Sequence, residues 1–180
     1  MDDAFLIRQT LSGSRNAFRL LVVRYQRPIF KFLGGFAIES AVAEELAQET
    51  FLRAYRSLSA FDSGQSAFSS WLFTIAKHLV LNETARSSRR LPHVAVADDA
   101  AIVETPPASQ QVESAERSSH VRRALEALPT PLRSALVLAY MQEHSLEEIA
   151  AIEGCSVGAI KSRIYRGKEL LRLHLAGMEE

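Results

Sequence analysis

A cationic helix near the C-terminus carries the residue types in this chain best suited to binding nucleic acid. Between Lys161 and Arg172 the sequence holds five cations and one acid, while Val157, Ile160 and Ile164 recur at helical spacing on another side. A helix of this kind can lie in the major groove of DNA, where outward side chains reach base edges and flanking cations meet phosphates. An ordinary amphipathic helix with a solvated charged face has the same features, so the elements around it decide between the two.

The residues before and within this helix meet the sequence requirements of a helix-turn-helix. Ala150 is small enough for a close helix contact, Gly154 tolerates the positive φ of the turn, and Ile160 anchors the second helix. Ser145 and Glu148 form a capping-box pattern at the head of the first helix. Together with the charge bias, this spacing favours DNA binding over a plain solvated helix.

Composition and targeting signals limit the other function classes. The chain has 180 residues and is 47% hydrophobic, which is typical of a globular protein with one large or two small domains. Its acidic N-terminus does not resemble a signal peptide and no apolar run could cross a bilayer, so we expect a cytoplasmic protein without membrane insertion. The single cysteine and the scattered histidines predict no metal site and no cofactor.

The zero net charge hides an uneven distribution that marks out a linker. Residues 91–118 contain one cation and five acids, with three of the six prolines and no helical period. We predict a flexible acidic linker there, between an N-terminal domain at 1–90 and a C-terminal domain at 119–180. Both flanking regions show helical spacing and no convincing strand, so the predicted fold is all-α, with the C-terminal domain a helix-turn-helix.

The second predicted helix of the N-terminal domain, at about 40–58, has an unusual outer face. Away from its apolar stripe it carries acids, a glutamine and an arginine around an isolated leucine. These residues are Glu45, Gln48, Glu49, Leu52 and Arg56. An acidic surface with an apolar centre suits the docking of a basic, partly apolar partner helix. A solvated charged face with one stray leucine is the alternative.

The third predicted helix, from about Phe68, has a polar edge beside its apolar stripe. Trp71, His78 and Asn82 lie close together around the helix axis, and the helix ends in arginines. The preceding loop, FDSGQSAF, is small and polar with an aromatic residue at each end. Such an edge and loop could follow a nucleic-acid strand and hold an unstacked base. Trp71 also fits the apolar stripe, so a plain core role for it stays open.

Three stretches of the chain together resemble the signature regions of extracytoplasmic-function sigma factors, the small group IV members of the σ70 family. They are AEELAQETFLRAYRSLSAFD, FSSWLFTIAKHLVLNETARSSRR and ALEALPTPLRSALVLAYMQEHSLEEIAAIEGCSVGAIKSRIYRGKELLR. Each motif alone is moderately specific, whereas their order around an unstructured linker is highly specific. The resemblance covers roughly residues 15–90 and 119–175.

The resemblance implies two partners, core RNA polymerase and promoter DNA. The acidic face would dock on the β′ clamp helices, the C-terminal domain would meet the β flap, and the linker would occupy the RNA-exit path. An anti-sigma factor would hold the protein inactive. Contacts to the −10 element would come from Phe61, Asp62, Ser63, Trp71, His78, Asn82, Arg86, Arg89 and Arg90. Contacts to the −35 element would come from Lys161, Ser162, Arg163, Tyr165, Arg166 and Lys168.

The sequence departs from the family pattern in two places, and one competing function stays open. His78 stands where the family more often has asparagine, and the arginine tail is less basic than in many relatives, which leaves the −10 sequence preference open.

The competing interpretation is a stand-alone two-domain transcription regulator that uses only its helix-turn-helix. No nucleophile–base pair, phosphate loop or carboxylate cluster indicates an enzyme.

Overall fold

The computed structural model describes residues 2–90, 120–142 and 144–177, and within these ranges all regular secondary structure is helical. This confirms the all-α prediction. The elements of the N-terminal unit are α1 (Asp3–Leu11), α2 (Arg15–Gly34), α3 (Ser40–Ser57), a short 3₁₀ turn (Leu58–Ala60) and α4 (Phe68–Arg90). Those of the C-terminal unit are α5 (residues 120–126), α6 (Thr130–Leu136), a π-helical turn (Val137–Met141), α7 (Leu146–Glu153) and α8 (Val157–Ala176).

The N-terminal unit packs α2, α3 and α4 around an apolar core, with α1 laid against α2. Local signals start the first two helices: Asp2 accepts from Phe5 N–H at 2.8 Å, and Ser14 accepts from Ala17 N–H at 3.3 Å. Asp3 ties α1 to α2 through Tyr25, and burial together with this carboxylate raises the pKa of the Tyr25 hydroxyl. The sequence pattern did not predict α1.

The core of this unit is aromatic. Phe32 is fully buried and meets Phe36 and Phe73 edge-on, with ring centroids 5.2 and 5.4 Å away. Tyr55 corrects an expectation from the sequence. Helical spacing places it with Ala47, Phe51 and Ala54 on the predicted apolar stripe of α3, but it is 45% exposed. It packs its ring against Phe18 at the rim of the core, at 4.9 Å.

The C-terminal unit forms the expected helix-turn-helix from α7 and α8. Ser145 Oγ accepts from Glu148 N–H at 3.2 Å, and Ser145 N–H donates to Glu148 Oε2 at 2.8 Å, which lowers the pKa of that carboxyl. Gly154 takes the left-handed conformation, φ 66°, that ends α7, and Ser156 caps α8. α8 crosses α6 closely at Gly167, where an added β-carbon would lie 2.9 Å from Leu136.

The two units are packed on each other in the described structure. α4 lies against α7, and the end of α2 lies against the π-helical turn. The predicted linker, 91–118, falls outside the described residues. None of the helices described is both long and apolar enough to cross a membrane.

Candidate functional site

The outer face of α8 presents most of the predicted base-reading side chains to solvent. Lys161, Ser162, Arg166 and Lys168 are exposed, and Tyr165 is 69% exposed. The opposite face packs into the C-terminal unit, where Ile160 is fully buried and Gly167 is also buried. The helix is therefore fixed by its apolar side, with a polar and cationic side left uncovered, as insertion into a DNA groove requires.

Arg163 has a different environment from the other predicted contacts on α8. Its Nη1 lies 2.9 Å from Glu153 Oε2, and the Glu153 side chain is only 7% exposed. Glu153 also accepts from Ser134 Oγ at 2.6 Å. This network ties α6, α7 and α8 together, so Arg163 holds α8 in place against α7. The sequence suggested only a DNA contact for it.

Tyr140 is a candidate contact residue that the sequence pattern does not indicate. It lies in the π-helical turn, is 57% exposed, and has the Lys168 ammonium 4.7 Å from its ring centroid. Its ring therefore stabilises the Lys168 ammonium at the edge of the predicted DNA-reading face. A π-helical turn often marks a functional position, but a 3.6-residue period gives no sign of one.

The acidic face of α3 is exposed as predicted, and its apolar centre is larger than the sequence suggested. Glu45, Gln48 and Arg56 are exposed and Glu49 is half-buried, pairing with Arg53 at 2.6 Å. Leu52 is 42% exposed and Tyr55, three residues on, 45%. Because residues three apart share a helix face, the two side chains form one apolar patch edged by charge.

The loop before α4 and the first turns of that helix form an aromatic cluster. Phe61 lies 5.1 Å from Trp71 and 5.7 Å from Phe68, measured between ring centroids. Trp71 is half-buried, so it belongs both to this cluster and to the surface. Asp62 organises the loop itself, accepting from Gly64 N–H at 2.8 Å. The cluster holds the loop at the start of the polar edge of α4.

The polar edge of α4 continues beyond this cluster. Ser63, His78, Asn82 and Arg86 are exposed, with Arg86 3.6 Å from Glu83 on the same helix. α4 continues to Arg90, so Arg89 and Arg90 lie on its last turn, although their side chains are outside the description. Within the described ranges, no group of His, Cys, Asp or Glu side chains could hold a metal ion.

Comparison with known proteins assigns both units to one family. The family model for Sigma-70 region 2 matches residues 21–90, and that for Sigma-70 region 4 matches residues 120–171. The RNA polymerase sigma-H factor of Pseudomonas aeruginosa is 36% identical, with 94% of this chain and 91% of the relative covered. The ECF RNA polymerase sigma-E factor of Escherichia coli K12 is also 36% identical, with 95% and 93% covered.

Two solved structures resemble this chain over most of its length. CnrH, in complex with the cytosolic domain of CnrY, has a TM-score of 0.72 at 28% identity, with 97% of each chain covered. The sigma factor RpoE of Bartonella quintana, in complex with the anti-sigma factor NepR, has a TM-score of 0.70 at 25% identity, with 88% of this chain and 96% of that one covered. Matched in both regions and along nearly its full length, this chain belongs to the extracytoplasmic-function sigma factors of the σ70 family.

Proposed function

We propose that this sigma factor binds core RNA polymerase through the acidic face of α3 and directs it to promoters with a −10 and a −35 element. Residues 1–90 form its region 2, residues 119–180 its region 4, and residues 91–118 the linker between them. The protein has no catalytic step of its own and works in the bacterial cytoplasm. The alternative is that the protein acts as a stand-alone helix-turn-helix regulator.

One observation carries this proposal beyond family membership. Leu52 and Tyr55 are exposed at the centre of a face that also carries Glu45, Gln48 and Glu49. A solvated helix has no need of such an apolar patch, whereas a docking surface takes most of its binding free energy from one. Basic, partly apolar helices of the β′ clamp would bury it.

Each DNA element has its own surface in this proposal. The aromatic cluster and the polar edge of α4 would bind the −10 element as an opened strand, since aromatic rings stack on unpaired bases. The outer face of α8 would read the −35 element as a duplex, with Arg166 and Tyr165 directed at bases and Lys161 and Lys168 at phosphates. The C-terminal unit would also contact the β flap.

Regulation by an anti-sigma factor is part of the same proposal. CnrH and the B. quintana RpoE, which share the arrangement of this chain, are described in complexes with the cytosolic domain of CnrY and with the anti-sigma factor NepR. A protein of that class that covered the α3 face of this chain would block polymerase binding.

The proposal is tested by mixing the purified chain with core polymerase. Co-elution in gel filtration, and transcription from a promoter that core polymerase alone does not use, are the expected results. A chain that binds duplex DNA tightly but does not co-elute with core polymerase would instead be a stand-alone regulator.

Arg166→Ala should weaken binding of the −35 duplex selectively. If its guanidinium reads a base, the substitution should cost about 1–3 kcal/mol of binding free energy on the −35 duplex. On a duplex in which that base pair is already changed, the loss should be small. Fluorescence anisotropy on single-base variants of the duplex measures this.

Arg163→Ala is the matched comparison. Because Arg163 holds Glu153, its loss should weaken binding to every duplex and lower the unfolding temperature. A uniform loss from Arg166→Ala would make that residue a phosphate contact only.

A further inference from the structure

An open cleft lies between the π-helical turn and α8. Two apolar residues are half-buried in it and two tyrosines and two lysines are exposed around them: Leu146, Ile164, Tyr140, Tyr165, Lys161 and Lys168. None of the described residues that line the cleft is acidic. Because Tyr165 lies both in the cleft and on the outer face of α8, the cleft continues the predicted DNA-reading face. Its two positive charges therefore suit a phosphate of the bound DNA.

The contact between Tyr140 and Lys168 is the best-defined interaction in this cleft. The Lys168 ammonium lies 4.7 Å from the centroid of the Tyr140 ring, within the range of a cation–π interaction. Both side chains are exposed, and Tyr140 is 57% exposed. Cation–π contacts at exposed sites are weak, so this one adds little to the stability of the fold. Its effect is on where the ammonium lies.

The cations of α8 differ in what holds them. Arg163 Nη1 lies 2.9 Å from Glu153 Oε2, and Arg172 Nη1 lies 3.0 Å from Glu169 Oε1. In both pairs a carboxylate offsets the field of the guanidinium. An aromatic ring attracts a cation through its quadrupole but has no net charge. Lys168 is therefore held in place by a partner that leaves its positive charge available to DNA.

The π-helical turn makes Tyr140 a firm support for this lysine. Val137 and Leu138, in the same turn, are buried in the core, so the backbone of the turn is anchored. A tyrosine has only two side-chain torsions, so holding its ring costs little conformational entropy. The long and flexible part of the pair is the lysine, and the ring limits its freedom.

We propose that Tyr140 is a positioning residue for DNA binding and acts through Lys168. Its ring holds the ammonium at the cleft, where the ammonium contacts a backbone phosphate of the strand that borders the outer face of α8. Phosphate contacts fix the register of a protein on DNA and carry no sequence information. Tyr140 therefore raises the affinity for every duplex alike. The identity of that duplex as a −35 element rests on the proposed function.

The loss of freedom in a lysine side chain sets the size of the expected effect. A lysine that moves freely in the free protein loses that freedom when it meets a phosphate, whereas one already held by a ring has lost part of it. Immobilising one such side chain changes an affinity by roughly 3- to 10-fold. Removing Lys168 itself is different, because a phosphate contact disappears and one fewer counterion is released on binding.

Anisotropy titrations of the holoenzyme test the inference between roughly 50 and 200 mM salt. The full chain is combined with core polymerase, and the probe is a labelled duplex that the wild-type holoenzyme selects from a random pool. Tyr140→Leu removes the ring and should raise the Kd by roughly 3- to 10-fold. Tyr140→Phe keeps the ring and should bind nearly as the wild type does. Lys168→Ala should lower the slope of log K against log salt by about 0.9.

The double variant Tyr140→Leu/Lys168→Ala decides whether Tyr140 acts through Lys168. We expect its Kd to equal that of Lys168→Ala alone, because the ring then has no ammonium to hold. A further loss in the double variant would overturn the inference. So would wild-type binding by Tyr140→Leu, or an equal loss from Tyr140→Phe, since the latter would make the hydroxyl group the contact.

Met141→Ala is the matched control. Met141 follows Tyr140 in the same turn and is 45% exposed, so its truncation should leave the Kd unchanged. Circular dichroism checks that every variant is folded. An equal loss from Met141→Ala would attribute the effect to the whole turn and overturn the role of the ring. If the pool yields no enriched sequence, the proposed reading of a −35 element fails. The same variants measured on unselected duplex would still decide the inference, because a phosphate contact does not depend on sequence.

Discussion

Leu52→Asp is expected to abolish binding to core RNA polymerase and leave the fold intact. Leu52 is 42% exposed, so aspartate is well solvated in the free protein. In the complex the same carboxylate would be desolvated at the apolar centre of the interface, beside the acids of α3. We expect the Kd to rise at least about 100-fold, equal to about 3 kcal/mol, as for a residue that dominates an interface. A titration of labelled protein with core polymerase measures it.

Val23→Asp provides the matched control for this prediction. Val23 is 57% exposed on α2, outside the acidic face, so the same apolar-to-acid change there should leave the Kd nearly unchanged. Circular dichroism should be the same for both variants. Normal polymerase binding by a folded Leu52→Asp protein would remove the α3 face from the docking surface, and an equal loss from Val23→Asp would attribute the effect to net charge.

The helix-turn-helix could be predicted closely because its determinants are local. The capping box and the turn glycine act within a few residues, and each forms the predicted contact. The N-cap of α8 at Ser156 is equally local. The sequence pattern therefore placed the start of α7 and the turn between α7 and α8. It also predicted the exposure of Tyr165 and Arg166, because a 3.6-residue period places them opposite Ile160.

Features that depend on packing partners were harder to predict. Tyr55 fits the apolar stripe of α3, but no neighbouring helix reaches far enough to cover it, so it is half exposed. α1 depends on contacts between Asp3 and Tyr25, 22 residues apart. The π-helical turn adds a residue to its turn, and this changes the face on which Tyr140 lies.

The pairing of cations was the least predictable part of the site. Five cations between Lys161 and Arg172 look alike in sequence, yet Arg163 alone is held by the buried Glu153, across the turn. Lys77 and Arg133 donate to backbone carbonyls, and every residue has one of those. No sequence pattern can identify such an acceptor, which is why the packing of the two units was not predicted.

Of the substitutions proposed, Arg133→Ala is expected to lower the free energy of unfolding the most. The substitution removes the donors to three carbonyl oxygens, of which those of Phe36 and Leu128 are bonded at buried positions. Unsatisfied buried acceptors cost about 1–3 kcal/mol each, so we expect the free energy of unfolding to fall by about 3 kcal/mol or more. For a protein of this size the unfolding temperature should fall by roughly 6–12 °C. Chemical and thermal denaturation measure both quantities.

Arg172→Ala separates this effect from the loss of any arginine. The Arg172 side chain is 76% exposed and pairs only with Glu169 in the described structure, at 3.0 Å on the same helix, so its removal should change the free energy of unfolding by less than about 0.5 kcal/mol. Arg133 also donates to the Phe36 carbonyl across the boundary between the two units, so its loss should affect both of them. A folded Arg133→Ala protein with wild-type stability would mean that water satisfies these carbonyls and that the guanidinium does not join the two units.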